Sequence, residues 1–197
     1  MSAFRKFGIV ATLTAASATG LPAFAQAIPP VVYTVILPAA GFGSSNYTDV
    51  VTGSIASAQQ FCAEIDNDSY TVDCLAERLG KVADEIPQGT DYDEVRNILK
   101  DTSDQLESLA RQNRDPSQTR GRATRAATDT TPEIRTTRPL TPVAPQSLPQ
   151  VNQQASAILS NTETLLLRSA AGSESKTQQY SRIAEAIGSS KVLLRSA

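Results

Sequence analysis

Histidine and tryptophan do not occur in this chain, and its one methionine is Met1. Without imidazole, no Ser-His-Asp or Cys-His catalytic unit can be assembled, nor an imidazole-bearing zinc or iron site. Catalysis is thereby confined to carboxylate, lysine, tyrosine or serine chemistry. A large excess of one charge is missing too: 18 basic residues face 20 acidic ones. Such mild acidity argues against a dedicated binder of nucleic acid or anionic membrane.

Cysteine is scarce as well, with only Cys62 and Cys74 present. No Cys-x-x-Cys spacing occurs, so a redox or metal pair is disfavoured. In an exported chain an even count reads as a disulfide, and two cysteines allow one pairing. Such a loop would stabilise the fold by about 3 kcal/mol on chain-entropy grounds.

Export itself is expected from residues 1–27. Arg5 and Lys6 form a short basic region, and Phe7 to Ala18 is apolar and uncharged. Leu21-Pro22 then precedes two small-x-small sites, ending at Ala25 or Ala27. Thr12, Thr14, Ser17 and Thr19 dilute the run below what a spanning helix needs. The expected location is therefore the periplasm or the exterior of a bacterium, with no integral span once the signal is removed. No cysteine follows the signal directly, so lipidation there is not expected. Arg5 and Lys6 are the only charges before residue 28, which leaves residues 28–197 with 16 basic and 20 acidic groups, net −4.

Residues 28–53 read as an extended, β-prone segment. Ile28-Pro29-Pro30 leads into Val31, Val32, Tyr33, Thr34, Val35, Ile36 and Leu37, and Pro38 closes the run. Gly41-Phe42-Gly43 reads as a turn rather than part of a nucleotide-binding loop, and a second short run covers Tyr47 to Thr52. With no clear third strand elsewhere, Val31, Val32, Tyr33, Val35, Ile36 and Leu37 are candidates for pairing with another chain. Asn46-Tyr47-Thr48 is an N-glycosylation sequon, meaningful only in a eukaryotic secretory pathway.

From Ser54 the apolar period becomes helical. A first helix is expected over 54–65 with Ile55, Ala58, Phe61 and Cys62 on one side. A second, after Asp66-Asn67-Asp68-Ser69, runs to Glu85 and aligns Val72, Leu75, Leu79, Val82 and Ile86. Pro87-Gln88-Gly89 stops it. A third runs from a cap at Thr90 or Asp91 to Asn113 and carries Val95, Ile98, Leu99, Leu106, Leu109 and Ala110. The expected bridge between Cys62 and Cys74 staples the first two helices, within a helical region spanning 54–113.

Residues 114–149 break the pattern, with six prolines scattered among Thr, Ser, Gln and Arg. So little apolar surface predicts a disordered linker, and its arginines could touch an anionic surface. No aromatic residue interleaves for base stacking. Residues 150–197 then form a C-terminal helical hairpin. Val151, Ala155, Ile158, Leu159, Leu165 and Leu166 share one face of its first helix; Gly172 is the expected stop and Ser173 the cap of the second. Leu165-Leu166-Leu167-Arg168-Ser169-Ala170 is echoed by Val192-Leu193-Leu194-Arg195-Ser196-Ala197, which helix composition explains.

Candidate chemistry is thin. Ser173-Glu174-Ser175-Lys176 matches a Ser-x-x-Lys pattern but lacks the companion elements of penicillin-recognising enzymes, so capping explains it better. Paired carboxylates could serve a glycosidase, with Asp91, Asp93, Glu94, Asp101 and Asp104 the densest group and Glu64, Asp66 and Asp68 next. On the helical stripe, Asp101, Asp104 and Glu107 point to solvent, and Asp66-Asn67-Asp68-Ser69 lacks the glycine and late glutamate of a calcium loop. The expectation is no catalytic, cofactor or metal residue. The fold expected is mainly α, antiparallel hairpins forming a small bundle, with an extended N-terminal segment and a disordered Pro/Arg-rich linker. The function expected is a non-enzymatic envelope scaffold or accessory protein whose partner is another envelope protein or itself. A carboxylate-dependent cell-wall enzyme, or an inhibitor of one, is the alternative.

Overall fold

The computed structural model describes residues 45–128 and 132–196. The export signal at 1–27, the β-prone residues Val31 to Leu37 and the Gly41-Phe42-Gly43 turn lie outside them. Helices dominate: α1 (Ser45–Ala63), α2 (Thr71–Glu85), α3 (Asp93–Gln112), α4 (Leu148–Ser169) and α5 (Glu174–Ser196). A two-residue ladder joins β1 (Thr124–Arg125) to β2 (Ile134–Arg135), antiparallel. Among the described residues no helix is long and apolar enough to cross a membrane.

The helices form a closed ring, each packed on its chain neighbour and α5 returning to α1. Cys62 in the last turn of α1 is bonded to Cys74 in the first turn of α2, Cα atoms 5.7 Å apart. Thr102 on α3 meets Thr162 on α4, hydroxyl to hydroxyl, at 2.7 Å. Lys191 on α5 reaches Ser160 on α4 at 3.3 Å. Closure comes from Gln59 on α1, whose amide donates to the Ala186 carbonyl and the Ser190 hydroxyl at 2.7 and 2.8 Å. Thr48 meets Gln179 and Gln59 meets Ser190, so α1 and α5 run in the same direction, unlike an all-antiparallel bundle.

Apolar stripes account for the core. Val72, Leu75, Leu79 and Val82 of α2, Val95, Leu99 and Leu106 of α3, Val151, Leu159 and Leu166 of α4, and Ile183, Ile187 and Leu194 of α5 are all buried. At about 25 cal/mol per Å², each such side chain contributes roughly 1.5–3 kcal/mol. The α2 and α3 backbones approach closely at Gly80, where a Cβ would lie 2.7 Å from the Ser103 hydroxyl oxygen. Ser103 in turn donates to the Ala76 carbonyl at 2.7 Å. Gly172, with φ +132°, sits at the α4–α5 turn, a conformation that side-chain-bearing residues rarely adopt.

Three expectations are corrected. First, α1 begins at Ser45, so residues 45–53 are helical rather than extended. Tyr47, Val51 and Ile55 stand four residues apart and all face the core. Tertiary burial there overrides the strand preference of Thr48, Val50, Val51 and Thr52. Second, Leu165 does not share the buried face: Leu165 and Leu167 are about half exposed, whereas Leu166 is fully buried. Successive helical residues are turned by about 100°, so only one of the three can point inward. The echo at the α5 end does not keep this facing, since there Leu194 is buried and Val192 exposed. Third, the described part of 114–149 is no disordered linker. Its first portion, 114–128, runs out and its second, 132–143, returns, with bridges Arg114 to Val143 and Gly121 to Leu140 beside the β1–β2 ladder. Leu140, Val143, Thr136 and Thr141 are buried, and 145–149 belong to a short 3-10 turn and the start of α4.

Candidate functional site

The chemistry densest in charge lies on α2. Asp73 and Glu77 are one turn apart, so both carboxylates face residues 136–141 of the strap that 114–128 and 132–143 form. Asp73 is fully buried and accepts from Arg138 through both oxygens, at 2.7 and 2.8 Å, and from the Thr141 N–H. Glu77 accepts from the Thr137 N–H at 2.7 Å and the Thr137 hydroxyl at 2.8 Å. It also pairs with Arg78 through both carboxylate oxygens. The strap residues bound this way, Thr137 to Glu77 and Thr141 to Asp73, run antiparallel to α2. Glu107 of α3, half-buried and not solvent-facing as the stripe suggested, adds a contact to Arg138 at 3.4 Å.

The electrostatics follow from these partners. Burial alone would raise Glu77, but the bonds from Arg78 and Thr137 outweigh it and hold the carboxyl below its ordinary value. Burial lowers Arg138, yet Asp73 more than compensates and its pKa is raised. On the strap's outgoing limb, Asp115 accepts from the Ser117 hydroxyl and N–H and from the Gln118 amide, which lowers its pKa. Every oxygen of these three carboxylates is therefore engaged within the chain.

A second buried polar group closes one end of the bundle. The Tyr92 hydroxyl lies 2.9 Å from that of Thr48 and donates to Gln179, and Tyr47 stacks edge-on against Tyr92 with centroids 4.6 Å apart. Desolvation pushes Tyr47 up to about 12, with Tyr92 and Glu85 adding to it, and burial raises Tyr92 and Tyr180 as well. At ordinary pH these phenols stay protonated, and Tyr92 donates to Gln179 and Tyr180 to the Asp91 carbonyl.

No protein family, curated protein or solved structure matches this chain. Function rests on the geometry alone.

The residues singled out from the sequence fall as follows. Cys62 and Cys74 meet as a fully buried disulfide. The six β-prone residues Val31 to Leu37 lie outside the described part. Ser173 accepts from the Lys176 N–H at 3.1 Å, so the Ser-x-x-Lys match is a helix cap on α5. Lys176 itself reaches Glu94 on α3. Thr48 of the sequon is buried within the tyrosine cluster. Asp91, Asp101 and Asp104 are exposed, as are Glu64, Asp66 and Asp68, and no group of three His, Cys, Asp or Glu among the described residues could hold a metal ion. Of the strap's arginines, Arg138 is held by Asp73, Arg122 donates to the Thr136 and Thr137 carbonyls, and Arg125 stands 3.5 Å from Glu64. That leaves fewer arginines for an anionic surface than the sequence suggested. Asp73 and Glu77 were not singled out at all. The available signal was their i, i+4 spacing beside an apolar stripe, together with the isolated Leu140 and Val143 next to Arg138.

Proposed function

We propose that this chain is an exported, periplasmic or secreted interaction or accessory protein of the bacterial envelope, without catalytic activity of its own. One observation carries the reading: the buried carboxylates Asp73, Glu77 and Asp115 have all their oxygens engaged by donors from the same chain. A glycosidase pair needs one raised carboxyl and one free carboxylate facing a cleft, whereas these groups fix backbone. The buried disulfide favours an oxidising compartment. In this reading the disulfide-stapled hairpin and the α4–α5 hairpin serve as a rigid scaffold, and Val31 to Leu37 form the handle that a second envelope protein pairs with.

Affinity capture from periplasm with the tagged chain tests it, repeated after deletion of residues 28–38. A specific partner lost on deletion is expected. Absence of any specific partner for the full chain contradicts the role, and unchanged capture contradicts strand donation. Incubation with purified wall polymer provides the other arm: release of soluble fragments would favour the enzyme.

A further inference from the structure

An open groove of about 340 Å³ lies between α1, α2 and β2. That is within the size range of ligand-binding clefts. Its floor is apolar, made by Ala58, Phe61, Val82 and Ile134. Its walls carry charges that balance locally. Lys81 stands 3.8 Å from Glu85, Arg78 is paired with Glu77, and Arg135 on β2 and Glu133 just before it also line the groove.

Two of the donors on the α2 and β2 side of this groove make no hydrogen bond among the described residues. The Arg78 guanidinium lies over the Phe61 ring, 5.0 Å from its centroid, and is bonded through Nε and Nη2 to Glu77 and through Nη2 to the Arg135 carbonyl at 3.2 Å. Its Nη1 makes no hydrogen bond among the described residues, although Arg78 is 92% buried by virtue of its 8% exposure. The second donor is a backbone group. The Thr136 N–H bonds to the Ala123 carbonyl across the ladder. Alternation along an antiparallel pair then turns the N–H and C=O of Arg135 away from β1, toward α2. The carbonyl is taken by Arg78; the N–H is not taken.

The geometry points to this groove as a docking site for an extended, uncharged peptide segment of a partner protein, laid beside β2 where its one outward N–H, that of Arg135, is open. Strand addition uses main-chain bonds for affinity and a side-chain pocket for selectivity. Here the Arg135 N–H and Arg78 Nη1 donate to successive peptide carbonyls, and the apolar floor takes a β-branched side chain. Balanced wall charges leave a charged peptide with no net attraction and a desolvation penalty, so an uncharged segment is selected. Ser54 and Ser57 on α1 line the groove as well. The site rests on the interaction role and gives that role an address.

The probe is the capped hexapeptide acetyl-Thr-Val-Thr-Val-Tyr-Thr-amide, titrated into the ¹⁵N-labelled full chain. Amide shifts should be confined to 54–61, 78–85 and 133–135, and exchange of the Arg135 N–H should slow at least about tenfold, as for a newly formed hydrogen bond. A companion peptide with Glu in place of each Val should bind at least about tenfold more weakly. Ser57→Arg, which fills the slot from a half-buried position, should abolish the shifts while far-UV circular dichroism stays unchanged; Ser54→Arg serves if that variant misfolds. No shifts, shifts elsewhere, or equal binding to Ser57→Arg would overturn the site. An Arg135 N–H already protected in the free chain would also overturn it, because the groove would then be filled from within. Partner capture without groove shifts would leave the interaction role standing and remove only the site.

Discussion

Replacing Asp73 with alanine removes the acceptor of three bonds in one step: two from Arg138 and one from the Thr141 N–H. A hydrogen bond to a charged acceptor is worth about 1.5–3 kcal/mol, and a buried N–H left without a partner costs about 1–3 kcal/mol. Arg138 is about a quarter exposed, at 27% of its side chain, so its guanidinium can turn toward water and Glu107 after the substitution. Discounting the ion pair on that ground leaves a destabilisation of about 3 kcal/mol, most of it the orphaned Thr141 group and the lost charge-assisted pair. Urea unfolding of D73A, R138A and the double variant measures it, and the cycle should return a coupling of about 1–2 kcal/mol. Trypsin provides a local readout, since a released strap should be cut at Arg114 to Arg135 well before the helices. A loss below about 0.5 kcal/mol with unchanged cleavage would refute the clamp.

Acid should loosen the same contact through Glu77. Its native carboxyl lies below the unfolded value, so the stability it contributes is present above the unfolded value and is lost as pH falls through the lower native one; Glu77→Gln should flatten the acid limb of a stability-versus-pH curve. Cys62→Ser with Cys74→Ser should cost about 3 kcal/mol by thermal or urea unfolding. Because both sulfurs are fully buried, a thiol reductant should act on the native protein only as fast as it opens, which thiol labelling over time follows. Leu166→Ala should cost about 2–5 kcal/mol and Leu165→Ala less than about 0.5 kcal/mol; equal losses would show that the facing of α4 is wrong.

Legibility in the sequence followed the kind of force involved. Where burial of an apolar face decides, as with Val72, Leu75, Leu79 and Val82 or with Val95, Leu99 and Leu106, the spacing is visible without a structure. Cys62 and Cys74 were placed at the ends of two adjacent helices by the same periodicity. Runs such as Leu165-Leu166-Leu167 offer three equivalent choices, and only the neighbours of α4 decide between them. At Tyr47 to Thr52 strand propensity and a helical period competed, and the partners that settle it, Tyr92 and Gln179, lie 44 and 131 residues away from Thr48. The strap was hidden for a different reason. Counting apolar residues finds Leu140 and Val143 too few to order 114–143, yet the ordering comes from carboxylates on α2 that receive its N–H groups. The candidate site was illegible for that same reason: Asp73 and Glu77 look like surface charge until the chain 60 residues on is laid across them.

Amide hydrogen exchange at Thr137 and Thr141 in the intact chain tests the central claim most directly. A strap clamped by α2 predicts that both amides, bonded to Glu77 and Asp73, exchange at least about a hundredfold more slowly than an unstructured peptide, and that D73A releases Thr141 first. Exchange of both amides at unstructured rates would contradict it.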